Sequence, residues 1–273
     1  MPDERPSYHP DVLVALDGPV ATVTLNRPAT KNACTGDMWV AIGATFRDLS
    51  TSGARVIVLT GAGGEFCAGA DLTGVATRKA DGAGPGPRGG NNLDGMRVLG
   101  DVVVALHSCP VPVIAKVDGV CVGAGLGLAL AADMVWCSDR ARFCAIFAKR
   151  GLSLDFGTSW LLRQRLGVHR AKELAFTARM VSAAEALDLG LVNAVVPVDR
   201  LDAATAEIAT AVASGPPIAI SLMKRQLDHA GQGSLLQALE AEAVAQSVNV
   251  GTDDSREAFT AYAERRPPNF SGR

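Results

Sequence analysis

Phe66-Cys-Ala-Gly-Ala-Asp-Leu72 and Val120-Cys-Val-Gly-Ala-Gly-Leu126 are written to one pattern, agreeing at four of seven positions. Each follows an apolar run with strand character, Arg55–Thr60 before the first and Val113–Val117 before the second. In a chain with 29 glycines such agreement can also arise by chance. The functional reading is two copies of a strand–turn–helix unit, each presenting a backbone amide at its Gly-Ala turn, at Ala70 and at Ala124. Two N–H groups converging from separate turns suit a carbonyl oxygen on which negative charge develops, as in a thioester enolate. A glycine before each donor allows close approach. Such a device asks nothing of the donor's side chain, so alanine serves.

Working outward, Val12–Leu16 and Val20–Leu25 flank Asp17-Gly18-Pro19 and read as a hairpin. Met38, Ile42, Phe46 and Leu49 recur at helical spacing, which predicts a helix over 37–49; a second is expected at about 94–107, ahead of Pro110 and Pro112. Strands alternating with helices define an α/β chain. Residues 74–92, with Gly-Ala-Gly-Pro-Gly-Pro and Gly-Gly-Asn-Asn, have too little apolar content to order themselves and predict a mobile loop. From Gly157 onward the pattern is mainly helical. Ser182/Glu185 and Ser234/Gln237 have capping-box spacing, and Pro267-Pro268 stops the last helix.

Composition narrows the function classes. The 273 residues are 48% hydrophobic and 20% charged, enough apolar content for a large core. A net charge of −2 offers no basic face for nucleic acid. The N-terminus lacks the apolar core of a signal peptide, and the longest apolar stretch, Val120 to Ala132, is too short to span a bilayer. Six cysteines without C-x-x-C spacing and four scattered histidines argue against a zinc site and for a reducing, cytoplasmic setting. No metal is expected.

Asn26-Arg-Pro-Ala-Thr-Lys-Asn-Ala33, the two echoed segments, Ala184-Glu-Ala-Leu-Asp-Leu-Gly-Leu-Val-Asn193 and the ending Ala-Glu-Arg265-Arg266-Pro-Pro-Asn-Phe270 resemble, in order, the signatures of the crotonase (enoyl-CoA hydratase/isomerase) superfamily. The resemblance runs from about residue 10 to the end. It implies a spiral of ββα units over 1–195 and a C-terminal helical trimerisation region over 196–273, assembled as a homotrimer or hexamer. It also implies an acyl-CoA or enoyl-CoA substrate, with CoA part of the substrate and no further cofactor. Carried over by position, the oxyanion hole falls on the amides of Ala70 and Ala124, and the CoA-binding positions on Arg27, Lys31, Ala68, Asp71 and Leu72. Cations at Arg27 and Lys31 suit a pyrophosphate; a solvated turn is the other reading.

The chain departs from the family at the hydratase pair. Gly127 stands where those enzymes have the first glutamate, and Phe147 where they have the second. Neither transfers a proton, whereas hydration generally uses two positioned acid–base groups. Gly151-Leu-Ser-Leu-Asp-Phe-Gly-Thr-Ser-Trp160 resembles instead the isomerase-type stretch in which an aspartate is the acid–base residue, which maps to Asp155. Between Leu154 and Phe156 its pKa would rise through desolvation. Alternatively, Asp155 caps the helix that follows. Asp71, Asp118 and Asp133 read as structural, and Phe156 and Trp160 as packing. The expected activity is therefore an enoyl-CoA isomerase-type double-bond shift. A hydratase, or an acyl-CoA binder that has lost both glutamates, stands as the alternative. A dinucleotide oxidoreductase is discounted, because Gly123-x-Gly125-x-Gly127 is not the G-x-G-x-x-G spacing.

Overall fold

A computed structural model describes residues 3–4, 8–73 and 92–273. Along the chain run β1 (Asp3–Glu4), β2 (Val12–Asp17), β3 (Val20–Leu25), α1 (Gly36–Leu49), β4 (Val56–Gly61), α2 (Asn92–His107), β5 (Val113–Val117), β6 (Val120–Val122), α3 (Ala124–Ala131), β7 (Met134–Ser138) and β8 (Arg142–Cys144). Then come α4 (Thr158–Thr177), β9 (Val181–Ser182), α5 (Ala183–Leu189), β10 (Ala194–Val196), α6 (Leu201–Ala213), α7 (Pro217–Ala230), α8 (Leu235–Val250) and α9 (Asp253–Glu264). The expected loop lies, over 74–91, outside the described residues.

One sheet has the order β1-β2-β3-β4-β5-β7-β10, and a smaller one the order β6-β8-β9. The hairpin forms as its sequence predicts, β2 and β3 pairing antiparallel from Val12↔Leu25 to Asp17↔Val20. From β3 to β10 the large sheet is parallel. A parallel strand covered on both faces should be largely apolar, and β4 is so from Val56 to Leu59: Ile57 and Leu59 join Trp39, Ile42 and Phe46 in one core. Val56 and Val58 turn to the other face, where they meet Ala209 and Ala213 of α6. The expected strand at Arg55–Thr60 is displaced by one residue. Arg55 instead directs its backbone N–H to Pro19 O, and its guanidinium to Ala213 O and Phe270 O.

Local signals explain several helix starts. Thr35 accepts from Met38 N at the start of α1, an N-cap of the usual kind. Ser182 caps α5 by accepting from Glu185 N, while Ser234 and Gln237 complete both halves of a capping box on α8. Helix α3 is buried on every side, as its unbroken run of apolar and glycine residues demands.

The C-terminal helices leave apolar surface bare. Leu235, Leu236 and Leu239 on α8 are 76%, 77% and 51% exposed. A cavity of about 690 Å³ lies between α7 and α8. Among the described residues no single helix is long and apolar enough to cross a membrane.

The chain's end is clasped onto this region. Asp254, 3% exposed, accepts from Ser271 N at 2.6 Å, Ser271 Oγ at 3.3 Å and Gly272 N at 3.1 Å. Arg55 Nη2 holds Phe270 O at 2.7 Å, so the tail links α9 to the start of β4. Hydrogen bonds to a buried charge are worth more than neutral ones. Asp254→Ala should therefore lower folding stability by about 2 kcal/mol, read as a lower urea midpoint. An unchanged midpoint would show the clasp to be idle.

Candidate active site

The echoed segments lie side by side. Cys67 N donates to Val120 O at 2.9 Å and Val122 N to Cys67 O at 3.0 Å, making a parallel bridge between Cys67 and Cys121. The contact is made by backbone. A Cβ added at Gly125 would fall 2.3 Å from Cys67 O. At Gly69 (φ +96°) a Cβ would meet Val122 O at 2.9 Å and Ala124 N at 3.4 Å. Both positions therefore require glycine. Among the described residues, neither the Ala70 nor the Ala124 N–H is taken by an acceptor. Ala124 opens α3, so the positive end of the helix adds to its amide.

The first turn is braced by the segment before α1. Ala68 N donates to Lys31 O at 2.9 Å, Cys34 N to Gly69 O at 2.8 Å, and Asp71 N to Cys34 O at 2.9 Å. Asn32, fully buried at φ +56°, closes the assembly. Its Oδ1 accepts from Arg27 N at 2.8 Å, and its Nδ2 donates to Ala62 O and Glu65 O at 2.9 and 2.6 Å. Glu65 in turn accepts from Val120 N at 2.6 Å, tying one turn to the other through a carboxylate. Neither Asn32 nor Glu65 is singled out by the sequence reading, although Asn32 lies inside the Asn26–Ala33 motif.

The expected CoA-binding residues gather at this edge, with different freedoms. Arg27 is largely committed: Nη1 donates to Asp71 Oδ2 at 2.8 Å and to Ala33 O at 2.6 Å, and Nε lies 3.7 Å from Asp11. Lys31 Nζ lies 3.2 Å from Glu65 and its side chain is 58% exposed, leaving it the more available cation. Ala68 is half-buried and Leu72 exposed. Hydrogen bonds from the Thr73 hydroxyl and amide, then from Arg27, hold the Asp71 carboxyl down at about 2. It stays ionised and holds the turn.

Asp155 enters from the loop before α4. The capping alternative fails: the cap position is Gly157 (φ +70°), with no side-chain bond, and Asp155 contributes only its backbone carbonyl to Thr158 N at 2.9 Å. Asp155 Oδ1 is buried with no hydrogen-bond partner among the described residues, and so is Thr158 Oγ1. Burial alone pushes the Asp155 carboxyl above its ordinary range. Phe156, at φ +51°, points into the core, its ring 4.5 Å from that of Trp39. Its backbone rests on α3, where a Cβ at Gly127 would lie 2.6 Å from Phe156 O. The loop that carries Asp155 thus packs, through Phe156 and Thr158, against the helix that presents the Ala124 amide. Phe147 is buried.

The other aspartates are anchored. Asp118 binds Ser138 Oγ at 2.6 Å and Arg140 Nε at 2.7 Å. Burial disfavours its charge, but these bonds prevail and its pKa falls. Asp133 accepts from Val113 N at 2.6 Å and Lys224 Nζ at 2.8 Å.

The sequence profile of the enoyl-CoA hydratase/isomerase family matches residues 16–273. The 1,2-epoxyphenylacetyl-CoA isomerase of Escherichia coli is 33% identical, with 96% of this chain and 98% of that one covered. The short-chain-enoyl-CoA hydratase of Clostridium acetobutylicum is 34% identical, over 94% of this chain and 95% of that one. A Thermobifida fusca structure in complex with CoA superposes with a TM-score of 0.81 at 33% identity, over 88% of this chain and 93% of the other. The chain belongs to the enoyl-CoA hydratase/isomerase family, the crotonases. It is an acyl-CoA enzyme of that fold.

Asp71 ties the site to stability through pH. Its folded pKa of about 2 lies below the ordinary aspartate value of 3.8, so folding favours the charged form. That contribution should be complete above about pH 4 and lost as pH falls toward 2. Asp71→Asn should flatten the denaturation midpoint over this window; an equally steep acid limb in the variant would assign the loss elsewhere.

Proposed function

We propose that the protein shifts a double bond within an enoyl-CoA, using Asp155 as the single acid–base group. The observation that carries this reading is the Asp155 carboxyl: desolvated, unpartnered at Oδ1 among the described residues, and carried on a loop whose next residue, Phe156, packs against the helix that opens with the Ala124 amide. On a 3-enoyl thioester, the ionised carboxylate takes a proton from C2. The C2–H electron pair delocalises into a dienolate whose charge collects on the thioester oxygen. The amides of Ala70 and Ala124 stabilise that charge. The proton then returns from Asp155 to C4, giving the 2-enoyl product. Nothing else is consumed, and one carboxylate suffices.

Hydration would need a second positioned group, and Gly127 and Phe147 supply none. Lys31 is assigned the CoA phosphates, with Arg27, Ala68, Asp71 and Leu72 shaping the binding edge. Arg27 acts mainly by fixing Asp71. The bare leucines of α8 support a homotrimer or a pair of trimers, in which a second copy covers them.

Asp155→Asn preserves shape but removes the base. It should reduce isomerisation by at least about a hundredfold while leaving CoA-thioester affinity within a few-fold. If wild type binds CoA thioesters tightly and turns over neither 3-enoyl nor 2-enoyl substrates, the protein is a binder and the enzymatic reading fails. In wild type, kcat/KM should rise with pH through a pKa above the usual aspartate value, because the base must be ionised and burial opposes ionisation.

Assembly is checked by light scattering. A stable monomer at micromolar concentration would contradict the trimer, and Leu235→Glu/Leu236→Glu should dissociate a trimer into smaller species.

A further inference from the structure

We infer that Cys67 is a positioning residue for the oxyanion site, its sulfur fixing the direction in which the Ala70 N–H points. It stands second in the first echoed segment and is fully buried, so it meets no substrate atom. Its thiol is engaged on both sides all the same. Cys67 Sγ donates to Asn32 O at 3.2 Å and accepts from Gly69 N at 3.4 Å. Among the described residues that sulfur is the one acceptor for the Gly69 N–H. The thiol therefore joins the turn to Asn32, the buried anchor beneath it.

Peptide planarity carries the effect to Ala70. Gly69 O accepts from Cys34 N at 2.8 Å, and in a planar trans peptide the Ala70 N–H points away from that carbonyl. The preceding peptide is held by its own N–H, on Cys67. The two planes meet at Gly69, a soft hinge at φ +96° that the contact with Val122 and Ala124 obliges to be glycine. Pinning both planes removes the hinge's freedom, so the donor is aimed before charge appears. The second turn has no such need: Gly123 O is taken by Gly127 N at 3.1 Å, within α3, and the Cys121 thiol turns instead to Gly125 O at 3.5 Å.

The catalytic consequence rests on the oxyanion role proposed for Ala70. Cys67→Ala removes the acceptor, and Cys67→Val removes it while keeping the space filled. Each should lower kcat for isomerisation by about ten- to a hundredfold, less than outright loss of an oxyanion donor costs, with KM little changed. Cys67→Ser should restore kcat, since a hydroxyl both donates and accepts and oxygen is the better acceptor. Cys109→Ala is the control, a buried thiol at the end of α2 whose loss opens a similar void; it should keep wild-type kcat.

A second readout needs no turnover: the infrared carbonyl stretch of bound hexanoyl-CoA, carbon-13 labelled at the thioester carbon. Wild type should shift this band to lower frequency, and Cys67→Ala or Cys67→Val should return much of the shift. If wild type moves no double bond but the band behaves in this way, the isomerase reading falls and the role of Cys67 stands. An unshifted band in wild type removes the oxyanion role and this inference with it. A folded Cys67→Ala or Cys67→Val protein with wild-type kcat and band overturns the inference, as does a Cys67→Ser protein no better than Cys67→Ala.

Discussion

The site depends on two pieces of backbone lying closer together than side chains would allow. Cys67 exchanges hydrogen bonds with Val120 and Val122, and its carbonyl occupies the space that a Cβ at Gly125 would need. Gly69 presses in the same way on Val122 and Ala124. Backbone groups positioned by a ladder cannot reorient as charge appears nearby, which is the property an oxyanion site requires. The parallel strands β4 and β5 deliver the two segments to this meeting point. Asn32 and Glu65, satisfied on several sides, prevent them from parting.

Two aspartates at this site show how environment divides labour between identical side chains. Asp71 is surrounded by donors and stays ionised in ordinary buffers, so it can act only as a fixed charge and a brace. Among the described residues Asp155 has no partner at Oδ1, and burial raises its pKa. The acid–base role proposed for Asp155 suits this setting, since a group that both accepts and returns a proton works best when neither form is strongly preferred. The Thr158 hydroxyl, at the first residue of α4, is a second buried polar group without a partner among the described residues. Buried orphans cost stability, and two of them flanking Phe156, itself at positive φ, are expected where function rather than packing has shaped the chain.

Much of this was legible in the sequence, because the governing signals are local. The hairpin, the period of α1, the echoed turns and the capping serines each follow from spacing over a few residues. What escaped was three-dimensional. Asn32 and Glu65 gain their importance from partners about thirty and fifty-five residues away, which no local pattern encodes. Arg27 read as a free cation for phosphate, yet it spends its guanidinium on Asp71 and Ala33. Asp155 had the sequence position of a cap, but Gly157 at positive φ moved the start of α4 two residues on and left the carboxyl outside the capping geometry. The tail clasp on Asp254 joins residues whose own segments give no sign of each other.

That displacement of the cap links chemistry to fold. Had Asp155 bonded the first amides of α4, its charge would have been stabilised and its pKa held low, and it would have been as inert toward protons as Asp71. The αL pair Phe156-Gly157 turns the chain so that the helix begins without it. The same turn drives the Phe156 ring onto Trp39 and the Phe156 carbonyl onto Gly127. The turn that leaves the Asp155 carboxyl without a cap's hydrogen bonds is thus also the turn that packs the loop against α3 at Gly127.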